Sequence, residues 1–381
     1  MKNIPLFRVF MSTEAPGEVS KVLSSGYIGQ GPKVEELESQ LKQIFNNEFV
    51  ITCNSATSAE HLSWQLLKKP EKDWPGITED DEILTCPLSC FATFSPILLN
   101  NFKIRWVDVD PTTMNIDLDD LERKITRKTK AIQIVLWGGY SVDFDRVKRI
   151  QEKTKDLYGF KPAVLVDCAH AFGTTYKGKQ ISELGNICTY SFQAIKHLNG
   201  IDAGALVLPY QELYKRGDLL KWYGLSRRIE SLDFRCGVQD IEEAGTKWHL
   251  NDVCATTLLS NLPYRDQIIN KHKENAAFYD KELQHTDGVT QLSRSVDCES
   301  SFWIYSMLVA DRTNFIKAMK DRGVQTSQVH ERCDKYACVK EFKSHLPALD
   351  SVIGDLVNIP VGWWVEKEDL EYIVSKIREG W

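Results

Sequence analysis

The chain has 381 residues, 43% hydrophobic and 26% charged, which fits a folded protein of one large and one small domain and excludes disorder for most of it. Its 47 Lys and Arg against 53 Asp and Glu give a net charge of −6, which argues against the basic face of a nucleic-acid binder. No apolar run reaches the roughly 18 residues of a membrane span, MKNIPLFRVF lacks a signal-peptide pattern, and ten cysteines are too few for a disulfide scaffold. A reduced, cytoplasmic protein that binds neither membrane nor nucleic acid is therefore expected.

In chain order, Val34, Leu37, Leu41 and Ile44 fall three or four apart and predict an amphipathic helix over 33–46. EFVITC (48–53) is a short apolar strand. It leads into NSATSAEHLSWQLLKK, where Ser55 or Thr57 can cap a helix. Six further strands are predicted at 82–86, 103–109, 131–137, 163–167, 187–192 and 204–208, with helical patterns at 117–126 and 143–157. Short apolar strands alternating with helices predict an α/β fold built on a mostly parallel sheet of seven strands covered on both faces. The last third reads as a smaller α+β unit: one or two helices over 252–285, a strand at 303–310, and helices at 311–323 and 367–378. The boundary is placed near 250, giving domains 1–250 and 251–381, with 1–30 available to pack on the smaller one.

Three places carry the chemistry. Asp167 ends the strand AVLVD, where open α/β sheets bind ligands; by position alone it fits a helix cap equally well. Lys196, in SFQAIKHLN, follows the next strand. It reads either as a solvated surface lysine or as a Schiff-base lysine whose pKa falls on desolvation, with His197 beside it as a rival. NSATSAEH joins a strand to a helix, and its backbone N–H groups and hydroxyls suit an anion. It lacks the glycines of a nucleotide-binding turn. Cys86, Cys90, His330, Cys333 and Cys338 lack zinc-site spacing, so no metal is expected.

An anion site, then an Asp, then a Ser and a Lys is the order of a fold-type I pyridoxal-phosphate enzyme. Beyond that order, the chain resembles the DegT/DnrJ-type sugar aminotransferase family along nearly its whole length. The matching segments are SSGYIGQGPKVEELE (24–38), NSATSAEHL (54–62), PLSCFATFSPI (87–97), VDVDPTTMNID (107–117), VLVDCAHAFGTTYKGKQISELG (164–185), SFQAIKHLNGIDAGAL (191–206) and VNIPVGWWVEKEDLEYIV (357–374).

The resemblance implies a role for each matching residue. Lys196 matches the lysine that holds pyridoxal phosphate as a Schiff base. Asp167 matches the carboxylate paired with the pyridine nitrogen, which keeps the ring an electron acceptor. His170 stands where the family has Gln or His and should meet the side of the ring that carries its hydroxyl. Phe91 matches the aromatic stacked on the ring. Ala56 and Thr57 match backbone donors to the phosphate, and Ser191 a hydroxyl donor. In GTKWHLND (245–252), Lys247 replaces an Asn that commonly crosses a homodimer to the phosphate, and His249 replaces an Arg. Tyr27 and His330 match regions that contact substrate. The family implies homodimers with shared sites and transfer of an amino group from L-glutamate or L-glutamine to a keto-sugar. That sugar is mostly nucleotide-diphosphate-linked and aminated at ring carbon 3 or 4, and the product feeds surface polysaccharide or glycoconjugates. Members with His in place of the lysine are sugar dehydratases, which makes dehydration the alternative; a non-catalytic regulator on the same fold is another.

Overall fold

The computed structural model describes residues 2–71, 74–227 and 240–381. The chain enters through helices α1 (Ala15–Ser25) and α2 (Pro32–Phe45). Pro32 starts α2 with a preset φ, and Val34, Leu37, Leu41 and Phe45 form its buried face. The helix stops at Asn46, whose left-handed φ of 46° lets its N–H return to the Gln43 carbonyl.

Next come β1 (Val50–Cys53), α3 (Ala56–Leu67), β2 (Glu82–Thr85), α4 (Ser95–Leu99), β3 (Lys103–Trp106), α5 (Leu118–Lys124), β4 (Thr129–Val135), α6 (Phe144–Tyr158) and β5 (Ala163–Asp167). A small hairpin, β6 (Thr175–Tyr176) and β7 (Lys179–Gln180), precedes β8 (Ile187–Ser191), β9 (Gly204–Val207) and α7 (Gln211–Leu220). The expected seven strands form one sheet in the order β1-β9-β8-β5-β4-β2-β3. Strand β9 alone runs against its neighbours. Residues of β1, β8 and β9 are buried throughout, because helices cover both faces. Each buried Val, Leu or Ile there contributes about 1.5–3 kcal/mol. Asp167 is level with Val135 on one side and Thr189 on the other, so the strand ends form a common rim.

The remainder contains α8 (Asp252–Asn261), α9 (Arg265–Glu282), β10 (Val289–Gln291), β11 (Cys298–Glu299), β12 (Tyr305–Val309), α10 (Arg312–Asp321), α11 (Pro347–Val352), β13 (Leu356–Ile359) and α12 (Lys367–Arg378). The 252–285 pattern is two helices, because Pro263 in the turn between them has no N–H to continue α8. Strands β10, β12 and β13 form a small antiparallel sheet. It shares a second apolar cluster with α9, α10 and α12, including Tyr279, Met307, Phe315 and Ile373.

Ile4 belongs to that second cluster and exchanges backbone hydrogen bonds with Gly323 and Gln325. Helix α8 instead gives Ala255 and Leu258 to the larger core. At its start the Asp252 carboxylate accepts the Gly31 and Val34 N–H groups at 2.8 and 3.1 Å, and so caps α2. No described helix is long and apolar enough to cross a membrane.

Candidate active site

The carboxyl ends of β1, β2, β4, β5 and β8 open onto one cavity of about 450 Å³. Its first wall is the start of α3. Ser55 has extended backbone, and its hydroxyl accepts the Ser58 N–H at 3.0 Å, which makes it the N-cap. Ala56 and Thr57 follow as the first helical residues, and both line the cavity. Their N–H groups lie in the turn that has no intrahelical acceptor, at the positive end of the helix dipole. Gly204 packs directly behind. A Cβ on it would stand 2.3 Å from the Ser55 carbonyl carbon and 2.4 Å from the Ala56 nitrogen, so only glycine lets β9 pass this close.

Asp167 forms the floor and is buried. Its Oδ2 accepts the Thr93 hydroxyl at 2.7 Å, and its Oδ1 accepts the Ala169 N–H at 2.9 Å. Buried Glu60, from α3, lies in hydrogen-bonding contact with it and lines the same cavity. Burial, and then the Asp167 charge, push the Glu60 acid well above the usual carboxylate range.

Lys196 enters from the loop after β8, with its Nζ 3.5 Å from the centre of the Trp303 ring. Burial lowers this amine to about 8, against the opposing pull of Asp167 and Cys90. His170 stacks on Trp303 with ring centres 4.0 Å apart, and His330 lies nearly parallel to His170 at 5.4 Å. Burial first, then the Lys196 charge, holds His330 down to about 4 and His170 well below the usual imidazole range, so both rings are neutral near neutral pH. Gly138 donates its N–H to His170 Nδ1 at 3.4 Å, which leaves the proton on Nε2. Gly139, at φ 89°, holds the turn: its carbonyl accepts the Thr174 and Ser300 hydroxyls, which ties this loop to the segment before Trp303.

Of the residues singled out from sequence, Ala56, Thr57, Asp167, His170, Ser191, Lys196 and His330 all line this cavity. Phe91 stands apart: its ring meets Tyr336 edge-on, while Ser89, Cys90, Ala92 and Thr93 around it form the wall. Tyr27 is 71% exposed, and Lys247 is exposed beside Trp222; neither lines the cavity of this chain. His197 does not rival the lysine, because its ring is buried against the Ser301 carbonyl at 2.9 Å. Cys168 is likewise buried, beside Cys188 and Tyr190, and burial raises its thiol pKa. Thr93, Trp303 and Glu60 were not singled out. Only Glu60 left a trace in the sequence, as an acid among Ala59, Leu62 and Ser63 on the buried side of a helix.

This is a doubly covered α/β fold with a helix start, a buried carboxylate and a desolvated lysine around one cavity. The model of the DegT/DnrJ/EryC1/StrS aminotransferase family matches residues 11–378, and the chain belongs to that family. The crystal structure of AtS13 from Actinomadura melliaura is 44% identical, with a TM-score of 0.95 and 100% of each chain covered. That of the sugar aminotransferase CalS13 from Micromonospora echinospora is 42% identical, with a TM-score of 0.94 over 99% of this chain and 100% of that one. A putative sugar aminotransferase from Streptococcus pneumoniae, Spr1654 in its PLP form, shares the fold at 23% identity and a TM-score of 0.89, over 99% of this chain and 98% of that one. The enzyme is thus a sugar aminotransferase that depends on pyridoxal phosphate. Its residues fit the cofactor: an amine whose pKa burial lowers to about 8, a buried carboxylate, and a helix start with glycine behind it.

Proposed function

We propose that this aminotransferase moves an amino group from L-glutamate or L-glutamine to a nucleotide-diphosphate-linked keto-deoxysugar, at ring carbon 3 or 4, to make an amino-sugar for surface polysaccharide or glycoconjugates. The supporting observation is that Lys196, Asp167 and the start of α3 meet in a single cavity. Bound pyridoxal phosphate supplies a ring that accepts the electrons left when the donor's Cα–H bond breaks. Lys196 Nζ takes that proton and returns it, as general base and then acid; its lowered pKa suits both roles. Asp167 would hold the proton on the ring nitrogen. The Ala56 and Thr57 N–H groups and the Ser191 hydroxyl would hold the phosphate.

His330 Nε2 is buried, with no partner among the described residues, and lines the cavity. A sugar hydroxyl would satisfy it. Tyr27 and Lys247 are exposed on the single chain, which fits roles across a homodimer interface: Tyr27 toward substrate, Lys247 toward the neighbouring phosphate as a point charge. A reduced, cytoplasmic setting and a division at about residue 250 belong to the same reading. The retained Lys196 speaks against the dehydratase alternative.

The test is a half-reaction. Enzyme loaded with pyridoxamine phosphate is mixed with nucleotide-linked keto-sugars, free keto-sugars and cyclitol ketones. Return of the aldehyde-form spectrum, with an amino-sugar found by mass, identifies the acceptor. Loss of water without amination would sink the aminotransferase reading, and a response only to free ketones would sink the nucleotide.

A further inference from the structure

Two carboxyl groups meet in this site, and only one has the surroundings of an anion. Asp167 accepts two donors, the Thr93 hydroxyl and the Ala169 N–H, at 2.7 and 2.9 Å. The Thr93 hydroxyl is in turn joined to Ser89 at 2.8 Å, so a short chain of hydroxyls ends on Asp167. Among the described residues, Glu60 accepts one neutral amide N–H, from Gln133 at 3.1 Å, and the same amide group also donates to the Thr93 carbonyl at 3.3 Å. Both carboxyls are buried and line one cavity. Two touching carboxylates in a desolvated site cannot both ionise, and the proton goes to the one with fewer donors.

We propose that Glu60 is a neutral acid that donates its proton in a hydrogen bond to Asp167, and that it is a positioning residue for the carboxylate that meets the cofactor's ring nitrogen. The second half rests on the cofactor reading given above; the first half does not. The Cys90 thiol, from the loop after β2, bears on Glu60, and the Lys196 amine bears on Asp167 across the cavity, which the His170 and His330 rings also line. Burial drives Glu60 in the same direction as this hydrogen-bond asymmetry. The role predicts that an amide can stand in for the acid, since Gln is neutral and can still donate to Asp167.

The experiment uses the full chain stripped of cofactor, at neutral pH, with folding checked by circular dichroism. Infrared spectra should show the carbonyl band of a protonated carboxylic acid in the wild type and lose it in Glu60→Gln. Absence of the band in the wild type, or its survival in the variant, overturns the proposal whether or not the protein transfers amino groups. The dissociation constant for pyridoxal phosphate is then measured across pH. Glu60→Gln should keep the wild-type profile within about threefold. Glu60→Leu, which leaves Asp167 without its donor, should weaken binding on the order of tenfold. A Leu variant that matches the wild type, or a Gln variant as weak as Leu, denies Glu60 the positioning role. The half-reaction tests aminotransfer separately.

Discussion

The amine of Lys196 rests against the indole of Trp303, 3.5 Å from the ring centre. Two effects oppose each other at this contact. The ring face attracts a cation, while the buried ring keeps water from solvating one. Burial lowers the amine from its ordinary 10.5 to about 8, against the opposing pull of Asp167 and Cys90. Trp303 is itself held by its Nε1–H, which donates to the Ile195 carbonyl at 2.9 Å.

Replacing Trp303 by Ala should let water reach the amine and raise its pKa back toward 10.5. The pH midpoint for capture of pyridoxal phosphate by the cofactor-free protein should rise with it. The same change should cost about 3–5 kcal/mol of stability, as for other buried aromatic truncations. Stopped-flow capture rates against pH, with denaturant melts, check both. An unmoved midpoint in a folded variant would show that Trp303 does not set the amine.

Stability should carry the same signature. The folded pKa of Lys196 is depressed, so between about 8 and 10.5 the unfolded chain binds more protons than the native one. Relative to Lys196→Met, the wild type should therefore gain stability as pH rises through that window, and the difference should be flat below it. Urea melts of both proteins at several pH values measure the difference. A difference independent of pH would place the amine in water.

Lys196→Ala should lower turnover by at least roughly 10³-fold, because proton transfer and cofactor attachment share one amine. The phosphate and ring contacts stay, so the variant should still bind pyridoxal phosphate non-covalently. Borohydride treatment followed by intact mass should show the reduced adduct in the wild type and none in the variant. Near wild-type turnover in the variant would exclude the mechanism.

Gly204→Ala tests the proposed phosphate cradle from behind. The new methyl would meet Ser55 and Ala56 backbone atoms at 2.3–2.5 Å, and backbone cannot swing away as a side-chain tip can. The start of α3 must shift, at a cost of about 1–3 kcal/mol. Pyridoxal phosphate should bind on the order of tenfold more weakly, while a phosphate-free analogue, pyridoxal, should lose far less. Equal losses for both ligands would place the damage elsewhere.

Much of the site was legible because local chemistry writes it into short segments. Ser55 was readable as a cap, since a hydroxyl between a strand and an apolar helix has few other uses, and it caps α3. Asp167 and Lys196 were legible because one ends an apolar strand and the other follows the next, and parallel strands deliver their ends to one side. Phe91 shows where this stops. It lies in the right loop, but which residue of a one-turn helix faces the cavity depends on packing against Tyr336, far along the chain. His197 shows the same: neighbours in sequence point apart, and its ring goes to Ser301, 104 positions away.

The sequence by itself determined the seven strands, four of the helices that cover them (α2, α3, α5 and α6) and the order of helix start, carboxylate and lysine, because periodicity, capping and strand ends act within a few residues. Only the tertiary structure decided the electrostatics of the site. Trp303 reaches Lys196 from more than 100 residues away, and Glu60 from α3 meets Asp167 at the end of β5. The pKa of a buried group is set by what surrounds it in space, and those surroundings exist only once distant segments have packed.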